Sequence, residues 1–324
     1  MGKKSRVKAR TAAAHAPAGG PADGTADVGP RQPCPCGSGR RYKACHGSAT
    51  GPVPTYVARP FAGVVGECDL IAMREIVAAA TAPLTLKDGV ADGRTVLLCS
   101  LLPMAAPALA RDDGSVWLGL QVQHGFGDPS RDLAAVLLKA LEAEPGAGVI
   151  GLTDDPGAGP RLQDLVTDAP LEVTVHDGFG YWVADVDDPD GSVAASLESA
   201  NAAAHPSVRL DSVEAAYWTD VGTREHLRWV LPYDEEPALD ALARLFAADG
   251  LTLGDATRYI GSFRAHGLVV PVWDLASSVD VDELEAPTSR LAERLDEAAA
   301  DRRPLTDDEL RARRALAGRQ VTIR

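Results

Sequence analysis

Three cysteines and one histidine lie close together near the start of the chain. One residue separates Cys34 from Cys36, and Cys45 and His46 follow after eight further residues. Thiolate and imidazole are donors that suit zinc, and four protein ligands around one ion leave no position for a reactive water. The spacing therefore predicts one structural, tetrahedral zinc ion.

The residues between these ligands also favour a metal site. Gly37 and Gly39 permit a tight turn, because glycine adopts positive φ without a Cβ clash. Zinc with three thiolates and a neutral imidazole carries a charge of about −1, so neighbouring basic side chains favour the deprotonated thiols. The alternatives for the cysteines are disulfides or reactive thiols, and disulfides fit poorly with a chain expected in the cytoplasm.

The whole segment 31–47 resembles the SEC-C motif, Cys-Pro-Cys-Gly-Ser-Gly-x-x-Tyr-Lys-x-Cys-His-Gly, and every fixed position of that motif is present. SEC-C motifs occur at the C-terminal tail of the preprotein translocase ATPase SecA and on unrelated proteins. The resemblance implies that Cys34, Cys36, Cys45 and His46 bind zinc. It also implies that the knuckle contacts partner proteins or ribosomes and does not catalyse a reaction.

The rest of the chain differs from SecA. The sequence contains no Gly-x-x-x-x-Gly-Lys-Ser/Thr loop for nucleotide phosphates, and the motif lies near the N-terminus. We therefore expect that the chain is not the SecA motor. Beyond the knuckle it is similar to uncharacterised bacterial proteins that pair a SEC-C motif with one α/β-type domain, and this similarity implies no activity.

Two cysteines outside the motif are candidates for a reactive thiol. Cys99 lies in an apolar run, where core packing is the favoured interpretation. Cys68 precedes a predicted helix, whose N-terminal dipole would lower the pKa of a thiol. No histidine partner for Cys68 is identifiable, so a nucleophilic role is the less favoured interpretation.

Two histidines end comparable strands, and each is soon followed by Gly-Phe-Gly. His124 and His176, with Asp128 and Asp177, would form a metal or acid–base site if they converged at one sheet edge. Histidines in turn-rich strand exits are the favoured alternative, because no Gly-x-Ser-x-Gly or His-Glu-x-x-His accompanies them.

Charge divides the chain into unlike regions. The 324 residues carry a formal net charge of −14. Residues 1–47 carry nine basic and two acidic side chains, whereas residues 48–286 carry 14 basic and 37 acidic ones. The acidic region is a poor surface for nucleic acid, while the basic one suits an anionic partner. No apolar run is long enough to span a bilayer, so we expect a cytoplasmic protein.

Composition and pattern predict five regions: a disordered basic tail (1–30), the SEC-C knuckle (31–47), a linker (48–60), an α+β body (61–286) and C-terminal helices (287–324). We expect a mixed or antiparallel sheet covered by helices. The predicted helices are 69–80, 129–141, 192–204, 237–248, 255–265, 289–299 and 307–317; the predicted strands are 95–102, 116–122, 171–175, 181–186, 213–219, 227–231 and 268–273.

The body also suggests an internal repeat. Trp117, Trp182 and Trp229 each lie on a predicted strand that precedes an acidic, proline-containing loop and a helix. Three ββα units would produce this order. Local helix-start chemistry alone would produce it as well, and the spacings from tryptophan to proline differ.

Three functions are compatible with these patterns. The favoured one is a zinc-binding adaptor whose knuckle presents Arg40, Arg41, Tyr42 and Lys43 to an anionic partner such as a ribosome, a nascent-chain factor or a chaperone. An enzyme with its site in the body is the alternative.

The third is a DNA-binding regulator that uses 237–273 as a winged helix, with Arg258, Tyr259, Ser262 and Arg264 on its second helix. Acidic side chains cancel the basic ones there, which argues against DNA.

Overall fold

Two β-sheets, one mixed and one antiparallel, form the framework of the body. The computed structural model describes Gln32 and residues 56–122, 125–183, 192–276 and 279–317. The chain divides into two units, Met1–Val53 and Pro54–Arg324, and every helix and strand described below belongs to the second. The α+β class predicted from the sequence is confirmed for that unit.

The first sheet is mixed and has the strand order β5-β3-β4-β2-β1-β6. Its strands β2 and β4 are parallel neighbours, whereas its other neighbours are antiparallel. The strands are β1 Ala80–Pro83, β2 Val96–Cys99, β3 Ala108–Ala110, β4 Val116–Gly119, β5 Gly148–Ile150 and β6 Thr174–Val175.

The second sheet is antiparallel throughout, in the order β10-β11-β9-β8-β7. The strands are β7 Ser207–Arg209, β8 Ala216–Asp220, β9 Glu225–Trp229, β10 Thr257–Ala265 and β11 Leu268–Leu275. The helices of the described residues are α1 Glu67–Glu75, α2 Pro129–Glu142, α3 Leu162–Leu165, α4 Ser192–Ala203, α5 Glu235–Ala247, α6 Asp282–Ala300 and α7 Asp307–Ala317.

Two large apolar clusters form the core of the body, and the second sheet contributes side chains to both. Side chains of α1 and α2, such as Ile71 and Leu137, pack with Leu118 of the first sheet. Helix α5 packs against strand β11 of the second sheet, and α6 and α7 pack on α5. Leu242, Leu291 and the buried Trp273 belong to the apolar cluster that these elements share. Burial of such aliphatic and aromatic side chains contributes about 1.5–3 kcal/mol each, so both layers depend mainly on these contacts.

Helix α2 has the start predicted from the sequence. Pro129 occupies its first turn, and Oδ1 of Asp128 accepts from the backbone N–H of Arg131 at 3.5 Å. Arg94 caps the other end, where its Nη1 donates to the carbonyls of Ala140, Leu141 and Ala143. The guanidinium thus satisfies carbonyls that have no partner within the helix.

The capping box predicted before the last helix is also confirmed. The backbone N–H of Thr306 donates to Glu309 at 2.7 Å, and the backbone N–H of Glu309 donates to the Thr306 hydroxyl at 3.4 Å.

The first predicted helix is wrong at both ends. Helix α1 begins after Gly66 and ends at Glu75, and residues from Ala80 form a strand. Asp69 is not its N-cap, because its carboxylate binds Arg209 and the Tyr217 hydroxyl on the second sheet. The sequence pattern predicted Asp69 as a helix cap, but its side chain instead binds residues of the second sheet.

The predicted helix 255–265 is wrong, because these residues form β10 of a long hairpin with β11. The two turn residues, His266 and Gly267, have φ of 48° and 86°, which is typical of the tight turns that join antiparallel strands. The second helix of the winged-helix interpretation therefore does not exist. Arg258 pairs with Asp274, and Arg264 pairs with Glu235.

The predicted ββα repeat fails in its second unit. Residues Gly180–Val183, including Trp182, form a 3₁₀ helix where a strand was predicted. The indole N–H of Trp182 donates to the carbonyl of Leu101 at 3.0 Å, and its ring stacks on Phe179 at 4.2 Å. Aromatic packing and this hydrogen bond fix the segment without a strand partner.

Candidate functional site

The predicted zinc ligands Cys34, Cys36, Cys45 and His46 lie outside the described residues. The same holds for the predicted partner-binding residues Arg40, Arg41, Tyr42 and Lys43. The donor set itself fits a zinc ion, because three thiolates and one imidazole complete a tetrahedral shell. Within the described part of the chain, no group of three or more His, Cys, Asp or Glu side chains is arranged to hold a metal.

Both cysteines of the body are buried free thiols. Burial raises the pKa of the Cys99 thiol to about 12, and burial likewise raises the pKa of the Cys68 thiol, on helix α1. Raised pKa values keep both sulfurs protonated near neutral pH, which opposes nucleophilic chemistry.

His176 and Asp128, two described members of the predicted histidine–aspartate site, have separate surroundings. Nε2 of His176 lies 2.8 Å from the Thr81 hydroxyl, and its ring packs on Tyr181 with centroids 4.7 Å apart. Burial lowers the pKa of His176, so the ring is neutral near pH 7.

Asp128 instead accepts from Arg161 Nε at 2.8 Å. No contact joins His176 to Asp128 in the part of the chain that the structure describes. His124 lies outside the described residues, and a site that includes it stays a prediction.

A cavity of about 310 Å³ lies at the carboxyl ends of the parallel strands β2 and β4. We call it the strand-end cavity. One wall is the loop that follows β2, from Met104 to Pro107, and another consists of Val122, Gly125 and Phe126, which lie between β4 and α2 in sequence. Further lining residues come from α1, α2 and β5.

The lining of the strand-end cavity is mainly apolar, and two charged side chains interrupt it. Arg74 of α1 is 14% exposed, and its guanidinium donates to the carbonyl of Leu120 and to Nε2 of His266. Asp132 of α2 is 12% exposed and accepts from the backbone N–H of Phe126 at 2.6 Å. A concave apolar surface with a few placed polar groups is the usual composition of a small-molecule site.

The loop beside the cavity has an unusual backbone. Met104 and Ala105 have φ of 56° and 52°, in the left-handed region that costs non-glycine residues energy. This loop crosses β4 at Gly119, where a Cβ would lie only 2.4 Å from the carbonyl oxygen of Ala106. The close approach therefore requires glycine at this position.

Sequence reasoning missed Arg74 and Asp132 as candidate site residues. They are 58 positions apart in sequence, on α1 and α2, and no local motif joins them. The available signal was the run Gly125-Phe126-Gly127-Asp128-Pro129 between a strand and a helix, since loops after parallel strands commonly line binding sites.

No helix among the described residues is long and apolar enough to cross a membrane.

Fold and motif together define a class of protein in which an α+β domain of two sheets follows a SEC-C motif. Residues 31–48 match the SEC-C motif, and residues 60–324 match the family described as "Family of unknown function (DUF5926)". The chain belongs to that family, because the match covers most of its length. No curated protein and no solved structure matches the chain.

Proposed function

We propose that the protein is a zinc-dependent adaptor whose SEC-C segment docks on an anionic partner. The observation that carries the proposal is the complete motif, which contains four side chains of the kinds that bind zinc and a cluster of basic side chains. Zinc binding would fold a segment too short to form its own apolar core. The folded segment would then present Arg40, Arg41, Tyr42 and Lys43 to the partner.

The charges of the chain support this division of roles. Residues 1–47 are basic and residues 48–286 are strongly acidic, so an anionic partner is attracted by the first region and repelled by the second. The proposed partner is an anionic surface on a ribosome, a nascent-chain factor or a chaperone. Thiolate ligands would need a reducing compartment, which supports a cytoplasmic location as part of the proposal.

Zinc binding is tested by metal analysis of the full chain purified under reducing conditions. We expect one zinc per chain, and loss of zinc when Cys34 and Cys36 are replaced by serine. Cys99→Ala is the matched control, because this thiol is buried in the body and should leave the zinc content unchanged. A zinc-free wild-type chain from zinc-replete cells would refute the metal site.

Docking is tested by co-sedimentation with purified ribosomes at low and moderate salt. Replacing Arg40, Arg41 and Lys43 by alanine should abolish salt-sensitive binding while zinc stays bound. A control variant removes three exposed basic side chains from the C-terminal helices and their connection, namely Arg290, Arg302 and Arg314. Equal loss in both variants would show a general charge effect, and unchanged binding of the first variant would refute docking through the knuckle.

A further inference from the structure

We propose that the strand-end cavity binds an uncharged, largely apolar small molecule through a carbonyl group that accepts a hydrogen bond from Arg74. The inference concerns the body and does not depend on zinc or on the proposed adaptor role.

The position of the cavity favours a ligand site. Parallel strands β2 and β4 end beside each other, and their following loops separate: one crosses β4 to reach β3, and the other leads into α2. Ligands of sheets with parallel strands bind in crevices at the carboxyl ends of the strands, where such loops diverge. The left-handed backbone at Met104 and Ala105 lies in one of these loops. Strained backbone of this kind is concentrated at ligand sites.

The size and lining of the cavity limit the ligand to a small apolar body. A volume of about 310 Å³ lies at the lower end of the range for small-molecule pockets. The apolar side chains around it include Val122, Phe126, Leu133, Val136 and Leu152. Contact with these groups would remove apolar ligand surface from water, which is the main source of affinity in such a site.

Arg74 supplies the polar contact. Its Nε and Nη1 are used by His266 and by the carbonyl of Leu120, while no described residue accepts from Nη2. A mostly buried guanidinium with an unused donor favours a ligand that brings an acceptor.

The acceptor should be uncharged because the positive charge of Arg74 is already balanced. The Glu75 carboxylate lies 3.5 Å from its Nε, and Asp132 lines the same cavity. A ligand carboxylate would add a negative charge beside Asp132 in apolar surroundings, and a ligand ammonium would face the guanidinium. Either charge would have to leave water, and the two charges that line the cavity already have ion partners, Glu75 at 3.5 Å from Arg74 and Arg131 at 3.7 Å from Asp132. Oδ1 of Asp132 has no hydrogen-bond partner among the described residues, so it can accept an N–H from a neutral amide. A carbonyl of an amide or a ketone avoids both costs.

The test compares three probes of one shape with the full chain: 4-phenylbutanamide, 4-phenylbutanoate and 4-phenylbutylamine. Ligand-observed NMR titration gives each dissociation constant. We expect the amide to bind at least about tenfold more tightly than either charged probe, a difference of about 1.4 kcal/mol. Tighter binding of the carboxylate or the amine would overturn the uncharged class. Absence of amide binding at millimolar concentration would overturn the proposal, whether the cavity is closed or filled by another part of the chain.

Two valine variants locate the site. Val149 is exposed at the rim of the cavity on β5, so Val149→Trp should block it and weaken amide binding about tenfold or more. Val208 is an exposed strand valine on β7 in the other sheet, and Val208→Trp should leave binding unchanged. Equal effects of the two variants would place the amide elsewhere and overturn the assignment.

Discussion

Replacing Asp69 by asparagine should strongly destabilise the body, because this carboxylate joins α1 to the second sheet. Its side chain is 4% exposed. Oδ1 accepts from the Tyr217 hydroxyl at 2.6 Å and from Arg209 Nε at 3.2 Å, and Oδ2 accepts from Arg209 Nη2 at 2.9 Å. Three hydrogen bonds to one buried charge thus connect segments about 140 residues apart in sequence.

The size of the effect follows from what each substitution leaves behind. An asparagine offers one acceptor oxygen, and its amide N–H groups would face the donors of Arg209. Breaking a buried ion pair from one side costs about 3–5 kcal/mol, and the 27% exposure of Arg209 favours the lower end. Tyr217→Phe removes one hydrogen bond to a charged group, which is worth about 1.5–3 kcal/mol.

The assay is urea unfolding of the full chain, followed by tryptophan fluorescence and by far-UV circular dichroism. Coincident transitions are required before a free energy of unfolding is assigned. A loss of about 3 kcal/mol corresponds to a fall of roughly 6–12 °C in the melting temperature of a domain of this size.

Adding Arg209→Met to Asp69→Asn should recover part of the loss, since the unpaired cation is then removed. Two results would contradict this role of Asp69. One is a smaller loss of unfolding free energy for Asp69→Asn than for Tyr217→Phe. The other is a double variant in which Arg209→Met lowers the unfolding free energy by as much as it does alone.

Three further predictions concern other parts of the body. Arg94→Ala should lower the free energy of unfolding by about 1.5–3 kcal/mol because the last carbonyls of α2 lose a charged donor, and Arg94→Lys should recover only part of this in the same urea assay. Gly119→Ala should cost about 1–3 kcal/mol because its Cβ meets the Ala106 carbonyl, whereas Gly159→Ala, which meets nothing within 4 Å, should be neutral. The pKa of His176 is lowered from its ordinary value of 6.5, so the unfolded chain binds a proton first and stability falls as pH drops below that value. Melting temperatures measured against pH should show a smaller fall in His176→Gln, and an equal fall would contradict this assignment.

Local sequence patterns predicted the structure correctly where the side chains of a segment themselves determine its conformation. The apolar spacing of α2 and the Thr306–Glu309 capping box predicted two helices almost to the residue. The motif at 31–48 was recognisable because all its donors lie in one short segment. In each case the information is contained within a few turns of chain.

Local sequence patterns did not predict the structure of segments whose conformation depends on residues distant in sequence. The polar–apolar mixture at 257–265 is compatible with a helix, and only the ladder with β11 makes it a strand. Arg74 and Asp132 show the same limit for the candidate site, because α1 and α2 bring them to one cavity from separate segments. Neither residue has a neighbour in sequence that indicates a ligand.

The uneven distribution of charge along the chain determines which region would contact an anionic partner. At physiological ionic strength, charges further apart than about 8 Å are largely screened, so only side chains near the contact act on a partner. Basic side chains in contact with an anionic surface are therefore screened least. Acidic side chains of the body that lie more than about 8 Å from that surface contribute little repulsion. Removing three basic residues from the knuckle should consequently weaken binding far more than removing three from the C-terminal helices, although the net charge changes equally. The formal value of −14 would predict no binding at all, because it averages over regions that act separately.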